Sequence, residues 1–162
     1  MNRTMNEYLK IDPWKIVEER FDAARMKSSE SLFALGNGVM GGRANFEERY
    51  TGPTLQGNYI GGVYYPDKTR VGWWKNGYPE YFAKVLNAAF WIGVDVAVDG
   101  ETLDAAQVEV LDFYRETDMR RSVLTRRMRV RMRSGAEVAV EAVRFLSLAR
   151  RELGVVSYSV TP

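Results

Sequence analysis

Between Leu124 and Arg133 the chain changes polarity at almost every step: Leu124, Met128, Val130 and Met132 alternate with Thr125, Arg127, Arg129, Arg131 and Arg133. Successive side chains of a strand point to opposite faces, so a period of two requires a strand with one buried side. Ser134 and Gly135 then supply turn chemistry, and Val138, Val140 and Ala142 resume the alternation. The segment is a β-hairpin. A two-residue loop sets Arg131 opposite Val138 and mixes charge with core. A three-residue loop pairing Arg133 with Glu137 avoids that, placing Met132 by Val138, Val130 by Val140 and Met128 by Ala142, with Arg129 facing Glu141 outside.

The pattern recurs elsewhere. Residues Trp91 to Val98 put Ile92, Val94, Val96 and Val98 on one face and Asp95 on the other, ahead of an Asp99-Gly100 turn that predicts a second hairpin. Val155 to Thr161 is β-branched and period-two, after a polar turn at Arg150 to Gly154. At the other end two readings stand. Asp12-Pro13 fits an N-cap and first helical position, with Trp14, Val17 and Phe21 on one face, whereas an extended chain aligns Val17, Glu19 and Phe21. The expected class is all-β and antiparallel.

Composition narrows the chemistry. With no cysteine and no histidine in 162 residues, disulfides, thiolate metal sites, cysteine nucleophiles and imidazole-based triads all lose their residue. Catalysis within the chain would fall to carboxylates, lysine or tyrosine. Lysines and arginines number 23 against 21 acidic residues, a balance that gives nucleic-acid binding little support. The arginine stripe at 127, 129, 131 and 133 is expected to be a solvated face with Glu137 and Glu141 opposite. There is neither a spanning apolar run nor a secretory leader, so the expected setting is soluble and cytoplasmic, with no membrane partner. No metal-ligand spacing is recognisable, and no cofactor is expected.

Two stretches are distinctive. Glu30 to Gly57 reads ESLFALGNGVMGGRANFEERYTGPTLQG, its glycines too irregular for a phosphate loop or a dinucleotide fingerprint. Gly62 to Ala88 reads GVYYPDKTRVGWWKNGYPEYFAKVLNA, dense in rings set among charges. Here Trp73, Trp74, Tyr78 and Tyr81, with Asp67, Lys68, Arg70 and Lys75, form the candidate sugar-binding group, since charged side chains beside rings suit recognition of polar ligands. The competing reading makes the rings sandwich core and domain interface. Asp67, Glu80, Glu47 and Glu48 read as caps, turns or surface residues, because sequence singles out no pair of carboxylates for glycoside chemistry.

Both stretches, with IDPWKIVEERFD at 11–22 and RFLSLARRELGVVSYSVTP at 144–162, resemble the N-terminal domain of glycoside hydrolase family 65 over nearly the whole chain. Ala44 departs from the glycine common in an MGxRGNF-like run, which puts the local backbone in question. The resemblance implies that residues 1–162 form part of a β-super-sandwich, that the catalytic (α/α)6 barrel is absent, and that no catalytic residue lies here. It also implies a parent enzyme that cleaves an α-glucoside disaccharide such as maltose with inorganic phosphate as co-substrate. In such a parent this part would act as scaffold, pack on its own barrel and support a homodimer. The rival is a free-standing carbohydrate-binding module using Trp73, Trp74 and Tyr78. An interrupted sandwich is further expected to self-associate through uncovered apolar strands.

Overall fold

The computed structural model describes residues 8–69 and 79–162. Its main sheet takes β1 (Lys10–Ile11), β2 (Lys15–Glu18), β10 (Glu109–Asp118), β11 (Val123–Arg131), β12 (Glu137–Leu146) and β13 (Gly154–Thr161), in that spatial order. Every pairing is antiparallel. Between β2 and β10 lie a 3-10 turn (Ala23–Arg25), α1 (Met26–Leu32) and the strands β3 (Leu35–Gly36), β4 (Met40–Gly42) and β5 (Asn58–Ile60), which form a small sheet. Two ribbons follow, β6 (Tyr64–Lys68) with β7 (Tyr81–Val85) and β8 (Ala97–Val98) with β9 (Glu101–Thr102). The protein is an antiparallel all-β sandwich.

The alternation places the core on one face of the main sheet. Leu124, Met128 and Val130 from β11 and Val138, Val140 and Ala142 from β12 are buried, while their odd-numbered neighbours are exposed or half-buried. On β10 an extra residue, Leu111, interrupts the register between Val110 and Asp112. The bulge resets parity, so that both Val110 and Phe113 pack in the core. Met26 of α1, Phe46, Leu103 and Ala105 cover this face, with Phe21, Tyr50, Val96 and Val98 at its margin.

The β11–β12 register differs from the expected one by two residues. Val130 pairs with Val138, Met128 with Val140, Arg131 with Glu137 and Arg127 with Glu141. The loop is Arg133-Ser134-Gly135, closed where Met132 N–H donates to Ala136 O at 2.8 Å. Gly135 decides this, for it alone in the loop has a left-handed φ, +91°, and a three-residue hairpin loop needs that conformation at its last position. The faces are unchanged by a shift of two.

At the N-terminus the extended reading is the observed one. Asp12 accepts a hydrogen bond from Trp14 N–H at 2.8 Å, an Asx turn rather than a helix cap, and Ile16 and Val17 pair with Thr117 and Glu116 of β10. A short helix is marginal alone, so pairing with a ten-residue strand overrides the local signal. The predicted strand 91–98 keeps its alternating burial, yet only Ala97–Val98 joins a ladder. Asp99 and Gly100, with φ of +51° and +81°, make the turn as expected. Ala44 is buried, its N–H donates to Glu30 O at 2.8 Å, and its φ is not left-handed, so alanine fits without strain.

Candidate functional site

The aromatic run leaves the sandwich as a two-stranded ribbon. Tyr64 pairs with Val85, Asp67 with Phe82 and Lys68 with Tyr81. Lys84 lies 3.6 Å from Asp67, Lys68 lies 3.9 Å from Glu80, and Thr69 N–H donates to Glu80 O at 2.9 Å. These ties register the strands but bury little. Tyr64, Tyr65, Tyr81, Phe82 and Val85 are all exposed, Val85 by 62%. The described rings therefore stand outside the sandwich core, contrary to the core half of the competing reading. A lone hairpin is marginally stable in water, and an exposed apolar patch of this kind marks an interaction surface. Tyr59, Ile60 and Val63 extend the patch along β5 and the following turn.

Of the predicted sugar-binding group, Asp67, Lys68 and Tyr81 sit on this ribbon. Arg70, Trp73, Trp74, Lys75 and Tyr78 lie outside the described residues.

The base of the ribbon is clamped by two asparagines. Asn58 N–H donates to Asn87 Oδ1 at 3.1 Å, Ala88 N–H returns to Asn58 O at 2.7 Å, and Asn87 Nδ2 reaches Gln56 O at 3.3 Å.

Next to it, Glu47 and Glu48 are neither caps nor surface groups: each is 2% exposed. Arg126 forks between them, Nη2 lying 2.7 Å from Glu47 Oε2 and Nη1 2.8 Å from Glu48 Oε1. Arg144 Nε stands 2.9 Å from Glu47 Oε1, and its Nη2 donates to Asn45 O at 3.0 Å. Tyr158 of β13 donates to Glu48 Oε2 at 3.2 Å. Phe46 packs under the Arg126 guanidinium at 4.4 Å. Burial alone would raise the Glu47 carboxyl, but Arg126 and Arg144 outweigh it and hold it below the usual carboxylate range. Burial beside Glu48 pushes the Tyr158 hydroxyl up. A carboxylate held ionised by two arginines is no proton donor, so Glu47 orders structure rather than acid catalysis.

A second buried arginine, Arg115, is ringed by Phe33, Phe46 and Phe113 at 5.2–5.4 Å and lies 3.4 Å from Glu18. Burial lowers its guanidinium to about 10, still charged at neutrality. The outward arginines meet carboxylates, as expected of a solvated face: Arg127 with Glu141 at 2.7 Å, and Arg131 with Glu137 and Glu109 at 2.8 Å each.

Sequence reading missed the inward arginines. The signal was present in parity, since Arg126 shares the even face with Leu124 and Met128, and Arg144 shares it with Val140 and Ala142.

Above the network, residues 45–56 and 90–95 enclose a cleft of about 530 Å³ lined by Phe46, Tyr50 and Phe90 with polar groups between them. Among the described residues no three carboxylates converge as metal ligands would, and no helix is long and apolar enough to cross a membrane.

Comparison with known proteins agrees with this architecture. Residues 16–162 match the family model described as Glycosyl hydrolase family 65, N-terminal domain. Maltose phosphorylase of Bacillus subtilis (strain 168) is 49% identical over 148 residues, covering 91% of this chain and 19% of that protein. Alpha,alpha-trehalose phosphorylase of Thermoanaerobacter brockii is 32% identical over 168 residues, covering 99% and 21% respectively. Among solved structures, a protein assigned as a kojibiose phosphorylase from the human microbiome superposes with a TM-score of 0.82 at 28% identity, over 96% of this chain and 21% of that one. The chain thus spans about a fifth of the length of these relatives. With a family match over 16–162 and a sandwich shared with a solved relative, the chain belongs to glycosyl hydrolase family 65, as its N-terminal domain.

Proposed function

We propose that this domain is the non-catalytic scaffold of a phosphorylase that cleaves an α-glucoside such as maltose. In that reaction a phosphate oxygen bonds to the anomeric carbon with inversion as the glycosidic C–O bond breaks. The leaving oxygen takes its proton from a carboxylic acid in the catalytic barrel, so inorganic phosphate is the co-substrate and no cofactor is needed. Maltose is favoured over other α-glucosides by the 49% identity to a maltose phosphorylase. The observation that carries the scaffold role is the β6–β7 ribbon, whose rings stand exposed among the described residues. It docks against the barrel or against the second subunit of a homodimer, and the Trp73 to Tyr81 run is held at the edge of the sugar site. The enzyme works in the cytoplasm, where a chain without cysteine has nothing to lose from reducing conditions.

The test replaces the matching segment of the Bacillus subtilis maltose phosphorylase with this chain and follows phosphate consumption with maltose. The expected result is an active chimera, no activity from the 162-residue chain alone, and a raised KM in the chimera on Tyr81→Ala. Phosphorolysis by the chain alone, or a folded but inactive chimera, overturns the reading.

A further inference from the structure

The cleft over the ion network carries side chains for which the fold has no use. Most of its floor is committed: the Asn45 amide serves Thr54 Oγ1, Leu55 O and Gly57 N, and Glu47 and Glu48 serve Arg126 and Arg144, while the buried Tyr50 hydroxyl has no hydrogen-bond partner among the described residues. Its rim is not. Arg49, Gln56 and Asp95 are exposed and, among the described residues, make no side-chain hydrogen bond or ion pair. Beside them Phe90 presents 38% of its surface.

Those three groups are a planar donor, a planar amide that both donates and accepts, and a planar acceptor. Together they can bridge neighbouring hydroxyls, and the Phe90 ring offers an apolar face for C–H groups. Charge excludes ionic ligands: Arg49 and Asp95 cancel at the rim, and Arg126 and Arg144 cancel Glu47 and Glu48 beneath. The cleft is neither an anion trap nor a cation cage. At about 530 Å³ it falls within the range of small-molecule sites, and the buried network keeps its floor in place before any ligand arrives, which lowers the ordering cost of binding.

We propose that this cleft binds a neutral pyranose, with Phe90 stacked on the sugar ring and Arg49, Gln56 and Asp95 on its hydroxyls. The inference is independent of the phosphorylase reading and needs no phosphorolysis to be tested. Maltose, glucose and, separately, inorganic phosphate are titrated into the isotope-labelled chain while the amide spectrum is followed. Maltose or glucose is expected to shift the amides of Arg49, Val94 and Asp95 with a dissociation constant on the order of 1–10 mM. Phosphate is expected to leave them in place.

Phe90→Ala is expected to weaken sugar binding about tenfold and Gln56→Ala severalfold, with the thermal midpoint unchanged in Gln56→Ala, whose side chain is exposed, and both variants compared at a temperature where each is folded. Retention of each variant on immobilised maltose reads the same contrast if self-association broadens the spectra. The proposal is overturned by the absence of shifts up to about 100 mM sugar, or by a response to phosphate at Arg49 matching that to sugar. Binding that survives both substitutions and disappears with Trp73→Ala also overturns it, and moves the sugar to the aromatic run.

Discussion

Arg126 is the residue whose loss the fold should feel most. Its fork holds two carboxylates that are each 2% exposed, and removing a guanidinium from such a site leaves charge with neither solvent nor partner. Arg126→Met is expected to cost about 3–5 kcal/mol in urea unfolding. Arg126→Lys should recover only part, because an ammonium cannot bridge both carboxylates in one plane. Acid should act on the same cluster. Glu47 titrates below its unfolded value, so its contribution is in place above the ordinary carboxylate range and is lost as pH falls through the depressed value. Urea midpoints followed from neutrality into acid should decline, and decline less steeply in Glu47→Gln, which starts from a lower stability. An equal acid slope in the variant would assign the loss to other carboxylates.

At the scale of elements, the β11–β12 loop rests on one backbone conformation. A methyl group at Gly135 meets nothing within 4 Å, so Gly135→Ala tests φ of +91° without any clash. The expected cost is about 1–2 kcal/mol, measured by thermal or urea unfolding, and a neutral result would mean that the loop has a second low-energy form. The hairpin also shows what was legible. Strands β11, β12 and β13 and the Asp99-Gly100 turn follow from period two and turn chemistry, which are local properties. The register needed one further step, recognising that the glycine must close the loop rather than occupy its middle. Other features depended on contacts distant in sequence. Asp12-Pro13 has the chemistry of a helix start, but β10, about a hundred residues later, claims the following segment as a strand. Glu47 and Glu48 looked like surface carboxylates because their arginine partners stand 78 or more residues away. Of the candidate sugar group, the ribbon brings Asp67, Lys68 and Tyr81 together by strand pairing that no alternation of polarity in Tyr64–Lys68 or Tyr81–Val85 announces.

At the scale of the whole molecule, two uncovered features point toward association. The ribbon exposes Tyr64, Tyr65, Tyr81 and Phe82, and β13 is the edge of the main sheet, with Val160 39% exposed and only β12 paired with it among the described residues. Sedimentation of the isolated chain should therefore show concentration-dependent association, reduced in the double variant Tyr81→Ser/Phe82→Ser. A monomer across a wide concentration range would mean that the ribbon is covered by the chain itself. The asparagine clamp at the ribbon's base has a separate consequence. Because residues 58 and 88 meet through backbone and amide hydrogen bonds, and β5 stays paired with β4 as far as Ile60, the described strands of the ribbon, β6 and β7, start and end close to one junction. Closing a loop becomes only slowly more costly as it lengthens, so what lies beyond such a junction can be extended, shortened or exchanged while the sandwich beneath keeps its packing. The clamp thus works as a graft site: a place where one stable body can be fitted with different surfaces, and where recognition can diverge without the fold having to change.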